Sequence, residues 1–322
     1  MPKARAKGLH TVAVVQHPSV ALHRDRTLTR GVELIEEAAE HGAKLIAFPE
    51  AWVPGYPEWV WRLRPGHDFA VTGEIHAGLL ENAVDLAAGG LKRLQAAAKR
   101  LKVTVGVGIQ ERDGDFGRGT LYNTFVLIGP DGSILNRHRK LMPTNAERMV
   151  WGMGDASGLR VVDTPAGRVG SLICWESYMP LARYSMFAQG CEIYIAPTWA
   201  CGDVWVATMR HIAMEGRCWV LGIGSALRGK DIPADFPHRA ALFPDLDEWF
   251  NEGDSVIVAP GGNVVAGPLN KAHGILYAEC DPAQAAVAKR TLDVTGHYGR
   301  PDVFHLEVDR SPRTPVEFAV TK

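Results

Sequence analysis

The apolar positions of this chain change period as they run. His10–Gln16 is a short β-rich run and predicts a strand. Leu28, Val32, Ile35 and Ala39 then recur at helical spacing, and Gly42 stops that helix. Residues 44–48 predict an apolar strand that ends at Pro49-Glu50. Leu91, Leu94, Ala98 and Leu101 mark the end of a second helix, and 103–110 predicts a strand. Leu121–Ile128 and residues 133–136 flank Gly129-Pro130-Asp131-Gly132, a hairpin turn. The second half repeats the theme, with strands at 168–174, 191–196, 219–225 and 275–279. Helices are predicted at 181–189, 204–217 and 284–292. A second hairpin, 255–259 with 263–266, turns at Pro260-Gly261-Gly262. This mixture predicts α/β layers around mixed sheets. No low-complexity run or Gly/Ser linker divides the chain, so a single domain over 1–322 is expected. Two stretches, 52–69 and 227–250, lack clean periodicity and read as surface loops.

Composition narrows the classes. Hydrophobic residues make up 46% and charged residues 22% of 322 residues, the ordinary balance of a globular protein with a large core. Lys plus Arg is 35 and Asp plus Glu is 36, a net charge of −1, which excludes a strongly basic nucleic-acid surface and charge-driven disorder. The five cysteines, Cys174, Cys191, Cys201, Cys218 and Cys280, form no CxxC pair. They fit neither a disulfide framework nor a zinc module and point to a reducing, cytoplasmic setting. Lys3, Arg5 and Lys7 precede an apolar run, 11–15, that is too short for a signal peptide. No stretch approaches the ~18 apolar residues of a membrane span. No HExxH or similar metal-ligand spacing occurs, and Gly106-Val107-Gly108 lacks the third glycine of a dinucleotide loop, so neither metal nor cofactor is expected.

Three segments carry candidate chemistry. In Phe48-Pro49-Glu50-Ala51-Trp52 an apolar strand ends in a carboxylate, at the sheet edge where α/β sites sit. Flanked by Phe48 and Trp52, Glu50 would be desolvated, its pKa raised to suit a general base. In His138-Arg139-Lys140-Leu141-Met142-Pro143, Lys140 follows a hairpin and could stabilise developing negative charge. In Gly170-Ser171-Leu172-Ile173-Cys174-Trp175-Glu176, Cys174 lies between a strand and a helix, where a helix N-terminus would lower a thiol's pKa. Taken singly, each residue also fits an ordinary role: a solvated loop Glu, a surface Lys, a buried structural Cys.

Together, Glu50, Lys140 and Cys174 in these settings resemble the nitrilase superfamily. The resemblance runs from the first strand to His297-Tyr298-Gly299-Arg300-Pro301-Asp302-Val303-Phe304. It implies an α/β fold, an αββα sandwich of two mixed β-sheets flanked by helices, and a Glu–Lys–Cys triad of Glu50, Lys140 and Cys174. Glu147 matches that family's second glutamate, and the resemblance makes Tyr56, Trp59, Trp175, Thr198 and Trp199 candidates for the substrate pocket. Cys174-Trp175-Glu176, Val53-Pro54-Gly55-Tyr56-Pro57-Glu58-Trp59 and the segments at 210–217 and 296–298 are similar to the nitrile-hydrolysing branch.

That branch implies a cofactor-free conversion of a small-molecule nitrile to the carboxylic acid and ammonia through a Cys174 thioimidate and thioester. Tryptophans at 52, 59, 61, 151 and 175, near the candidate residues in sequence, lean the substrate towards aromatic or arylaliphatic nitriles. The rivals are an amidase or carbamoylase with the same triad, hydration that stops at the amide, a Cys–His hydrolase using His211, and a catalytically silent scaffold or filament. His211 and Glu215, spaced i, i+4, read as a helix ion pair. The resemblance also implies homodimers that stack into larger spirals, with 52–69 and 227–250 at interfaces and the tail from about 296 to 322 as an extended arm. No nucleic-acid or membrane partner is expected.

Overall fold

The computed structural model describes residues 8–114, 116–317 and 319, so Lys3, Arg5, Lys7 and the end of the tail at 318 and 320–322 lie outside the described residues. The chain begins with β1 (His10–Gln16), α1 (Arg24–Glu40), β2 (Leu45–Ala47), α2 (Phe69–Asn82) and α3 (Lys92–Leu101). It continues through β3 (Thr104–Arg112), β4 (Leu121–Ile128) and β5 (Ile134–Arg139). Next come β6 (Val162–Thr164), β7 (Gly167–Ser171), α4 (Pro180–Ala188), β8 (Ile193–Thr198), α5 (Asp203–Gly216) and β9 (Trp219–Gly224). The last elements are β10 (Leu227–Arg228), α6 (Arg239–Leu242), β11 (Trp249–Asn251), β12 (Gly253–Val258), β13 (Val264–Asn270), β14 (Gly274–Cys280) and α7 (Pro282–Ala288).

Two six-stranded mixed sheets result, ordered β14-β1-β2-β3-β4-β5 and β13-β12-β9-β8-β7-β6. The runs β1-β2-β3 and β7-β8-β9 are parallel, and the outer pairings are antiparallel. Side chains on a strand alternate faces, and the strands use both. Val12 and Val14 join Leu45, Phe125, Ile193, Ile195, Leu221 and Ile257 in a core between the sheets. Ala13 and Val15 face the other way and pack with Val105, Val107, Leu34, Ile35 and Leu94, beneath α1 and α3. On the second sheet Tyr194, Val220 and Val256 face Met186, Met209 and Ile212 of α4 and α5. The layers are therefore helix, sheet, sheet, helix, the αββα sandwich expected from the sequence. Among the described residues no helix is long and apolar enough to cross a membrane, and no His, Cys, Asp and Glu group is arranged to hold a metal ion.

Three differences from the sequence reading have physical causes. Residues 69–82 form α2, whose buried side chains are only Ile75 and Leu79, too sparse a stripe to reveal the helix. The apolar run 168–174 leaves the ladder after Ser171, and a 3-10 turn starts at Cys174. The stretches 52–69 and 227–250 are surface loops only in part, exposed at 64–67 and 244–247. They bury Trp59, Val60, Ile232, Phe236, Leu242 and Phe243 in a fourth cluster that has no helical or strand period because many separate short elements feed it. Arg62 ties them together: it donates to Glu248 at 2.7 Å and to the Leu242 carbonyl at 3.1 Å, and lies over the rings of Phe243 and Phe250. The tail, beyond α7, runs back along its own chain as far as described, with Val308 against the α4–α5 core and Arg313 N donating to Asp155 at 2.9 Å.

Gly108 shows how the first sheet makes room for a functional turn. After β2 the chain bulges away from β3 and rejoins it: Phe48 N donates to Gly106 O at 2.8 Å, and Val53 N to Gly108 O at 3.1 Å. Glu50 sits at the top of that bulge. A Cβ on Gly108 would land on the Pro49 carbonyl oxygen and 2.5 Å from Ala51 N. Gly108→Ala is therefore expected to cost about 1–3 kcal/mol through overpacking, read as a lower urea midpoint. A midpoint equal to that of the unsubstituted protein would show that the bulge moves freely.

Candidate active site

Each side chain of the site stands where a strand ends. Glu50 follows β2, Lys140 follows β5, Cys174 follows β7 and Thr198 ends β8. β2, β7 and β8 belong to the parallel runs, and β5 runs parallel to β3 because two antiparallel pairings separate them. All four residues thus gather at the carboxyl ends of strands, where open α/β sheets place their sites.

Glu50, Lys140, Glu147, Cys174 and Thr198 are all buried. The Lys140 ammonium lies 2.8 Å from Glu50 Oε1 and 2.8 Å from Glu147 Oε2. It also faces the Trp151 ring, 5.9 Å from the centroid. Glu50 accepts two further hydrogen bonds, from Asn123 Nδ2 at 2.7 Å and from Trp199 N at 2.6 Å. Glu147, on a 3-10 turn, accepts from Thr144 N at 2.6 Å and from the Tyr56 hydroxyl at 2.7 Å. Thr198 Oγ1 donates to Cys174 Sγ at 3.3 Å. Consecutive residues Thr198 and Trp199 therefore hold the thiol and the Glu50 carboxylate side by side. Cys174 adopts φ of +54°, a left-handed conformation that costs a non-glycine residue energy and persists only where the surroundings enforce it.

The charges follow from burial and neighbours. Burial raises the Glu50 carboxyl, the Lys140 ammonium pulls it back, and the net direction is up, as the sequence suggested. Burial alone would lower Lys140, but the Glu50 and Glu147 carboxylates outweigh it and hold the ammonium charged. Cys174 corrects the sequence reading. Its thiol is pushed up to about 12, first by burial and then by the Glu50 charge, with Lys140 acting against both. The turn that starts at Cys174 is a five-residue 3-10 helix, too short to supply the helix field that was expected to lower it. Burial and the neighbouring Glu147 and Glu50 charges also raise Tyr56.

A narrow cavity of about 30 Å³ opens beside Glu50, lined among others by Tyr56, Trp59, Trp199, Phe236 and Phe243. Tyr56 stacks flat on Trp199, 4.1 Å between centroids, and meets Trp151 edge-on. Neither Cys174 nor Lys140 is among the residues that line this cavity. Three pocket candidates, Tyr56, Trp59 and Trp199, line it. Thr198 lies under the thiol instead. Trp175 is 54% exposed and packs edge-on against Tyr178, outside the cavity, because the turn at Cys174 directs the next side chain outwards. Trp52 packs on Phe48 in the core, and Trp61 is partly exposed.

The other sequence candidates fall away from the thiol. His211 is exposed, 4.0 Å from Glu215, whose main partner is Arg183 at 2.7 Å. Cys191, Cys218 and Cys280 are buried, and Cys201 is exposed rather than lining a pocket. Asn123 was missed, although an Asn inside the apolar run Leu121–Ile128 is itself a signal, since strands are depleted in Asn. Glu176 was quoted only as part of a motif. It proves to be a buried carboxylate paired with His138 at 2.9 Å.

Comparison with known proteins points to one family. The carbon-nitrogen hydrolase family matches residues 11–290. An aliphatic nitrilase of Sinorhizobium fredii (strain HH103) is 42% identical over 305 residues, covering 94% of this chain and 97% of that protein. The bifunctional nitrilase/nitrile hydratase NIT4B of Nicotiana tabacum is 40% identical over 311 residues, 96% of this chain and 88% of that one. In fold, a carbon-nitrogen hydrolase from Helicobacter pylori G27 superposes with a TM-score of 0.69 at 19% identity, covering 92% of this chain and 97% of that chain.

The charge balance makes a direct prediction. Alkylation of Cys174 by iodoacetamide, followed by mass spectrometry, should keep rising past about pH 10 instead of levelling near the ordinary thiol value of about 8.5. A plateau at or below about 8.5 would mean that Lys140 outweighs burial and that the resting nucleophile is a thiolate.

Proposed function

The chain belongs to the carbon-nitrogen hydrolase family, in the nitrile-hydrolysing branch of the nitrilase superfamily, and from that premise we propose how its buried cluster hydrolyses a nitrile to the carboxylic acid and ammonia. The observation that carries the reading is the Lys140 ammonium, held 2.8 Å from both Glu50 and Glu147 beside the Cys174 thiol. Glu50, raised by burial, takes the Cys174 proton as Sγ attacks the nitrile carbon. Lys140 stabilises the negative charge that develops on the substrate nitrogen, where the enclosing site makes it most effective. The thioimidate adds a water activated by Glu50, ammonia leaves, and a second water releases the acid from the thioester. Glu147 orients Lys140, and Tyr56 in turn holds Glu147. The 42% identity to an aliphatic nitrilase supports a compact aliphatic nitrile over the aromatic ones suggested by tryptophan spacing.

We read the chain as one domain that works as a homo-oligomer. The exposed apolar side chains of Tyr178, Leu181, Val204 and Met214 support a self-associating surface. The five free cysteines support a cytoplasmic setting.

The test is product analysis on a panel of aliphatic and aromatic nitriles and their matching amides, with Cys174→Ala as control. Acid and ammonia from nitriles, lost in Cys174→Ala, are expected, with compact aliphatic substrates preferred. Turnover of amides alone would move the protein to the amidase reading. A second check is the acid limb of kcat/KM. Glu50 must be ionised to accept a proton, and its pKa is raised. Activity should therefore fall as pH drops through a value above the ordinary Glu pKa of about 4.3. An acid limb at or below about 4.3 would remove Glu50 from the role of base.

A further inference from the structure

Glu176 is fully buried two residues after the nucleophile, and every hydrogen bond it accepts leads back to a reacting side chain. Its Oε2 accepts from Ile173 N at 2.6 Å, the amide immediately before Cys174. Its Oε1 accepts from Leu141 N at 2.7 Å, the amide immediately after Lys140. His138 Nε2 lies 3.1 Å from Oε1 and 2.9 Å from Oε2, across both oxygens. An ionised carboxylate only accepts, so Nε2 carries the proton and donates. His138 is the penultimate residue of the strand that delivers Lys140. One carboxylate thus bridges the Cys174 turn of one sheet to the Lys140 turn of the other, and the imidazole prevents it from rotating.

We propose that Glu176, locked by His138, is a positioning residue that fixes the separation of Lys140 and Cys174 and thereby sets how much acid and how much amide the enzyme makes. This rests on the nitrilase reading above. Water addition to the thioimidate gives one tetrahedral intermediate bearing the Cys174 sulfur, a hydroxyl and an amino group on the former nitrile carbon. If a proton reaches the amino nitrogen, the C–N bond breaks with its electron pair on nitrogen and the hydroxyl proton is lost, so ammonia leaves and the thioester goes on to acid. If the C–S bond breaks instead, its electron pair returns to Sγ, the hydroxyl proton is lost, and the product is the amide. The first path needs Lys140 and its carboxylate partners held close to the nitrogen. The second does not. A displacement of about 1 Å at such a site costs on the order of a hundred-fold in rate, so slack between the two turns falls mainly on the ammonia path.

A buried ion pair also has a plain structural role, since loss of one partner destabilises the fold. The product ratio separates the two, because a smaller folded fraction lowers the rate without changing amide relative to acid. Glu176→Gln keeps the size of the side chain but turns an NH2 group towards one of the two amides. Glu176→Asp keeps the charge but loses the reach to span both. Each is expected to lower kcat at least about ten-fold with KM within about two-fold, and to raise the amide-to-acid ratio at least about three-fold. His138→Leu should behave like Glu176→Gln, whereas His138→Gln, which restores a donor, should recover most of the wild-type ratio. An unchanged ratio in both Glu176 variants and in His138→Leu overturns the proposal while leaving the nitrilase reading intact. Failure of the wild-type protein to make acid or amide from any nitrile overturns the reading itself, and the proposal with it.

Discussion

The site depends on one buried ammonium. Lys140 is buried away from bulk solvent, and two carboxylates solvate it at 2.8 Å each. A lone buried charge of either sign would be far too costly, so the three groups exist only together. Two carboxylates against one ammonium leave an excess negative charge inside the protein. Burial first, and the Glu147 charge after it, raise Glu50, and burial together with Glu50's charge holds the Cys174 thiol protonated at rest. The nucleophile is consequently a neutral thiol beside an eager base, and a thiolate forms as the substrate carbon accepts its electrons. An electrostatic arrangement of this kind needs no reorganisation at the moment of reaction.

Such an arrangement tolerates little movement, and the fold supplies the required rigidity from its most ordered parts. The turns that carry Glu50, Cys174 and Thr198 leave buried strands, and Lys140 follows the partly exposed edge strand β5. Between the turns, the connections are short backbone donors aimed at carboxylates: Trp199 N to Glu50, Thr144 N to Glu147, and the amides beside Lys140 and Cys174 to Glu176. Backbone amides of this kind cannot swing away as side chains can. The strained φ at Cys174 is the local cost of pointing a thiol out of the end of a strand into this network.

What could be read from the sequence follows the range of each cause. The layered fold was legible because strand and helix periods are local and the chain keeps them almost throughout. Glu50, Lys140 and Cys174 were legible because each sits at the end of an apolar run, and because their settings resemble a known family. The thiol's pKa was not legible. A strand-to-helix turn suggested a lowered value, but the dominant causes, full burial and a carboxylate 124 positions earlier in the chain, are tertiary. Asn123 and Glu176 were hidden for the same reason, since their partners lie on other elements. Trp175 failed as a pocket residue because closeness in sequence to a nucleophile says nothing about which way a turn directs the next side chain.

The stretches at 52–69 and 227–250 show why the least periodic parts of the chain matter most for selectivity. Neither contributes the nucleophile, the ammonium or the base. Together they supply Tyr56, Trp59, Phe236 and Phe243 to the cavity beside Glu50, and Arg62 joins them through a carboxylate, a carbonyl and two rings. Of these four, Tyr56 reaches into both systems, stacking on Trp199 as a wall while donating to Glu147 in the charge network. The walls are therefore free to change shape through irregular segments that carry little ladder beyond the short β10–β11 pair, while Glu50 and Lys140 stay at the ends of the first sheet's strands. A fold divided in this way can take a different nitrile by exchanging side chains in two stretches, with the exception of Tyr56, where a change of wall would also disturb the carboxylate that holds Lys140.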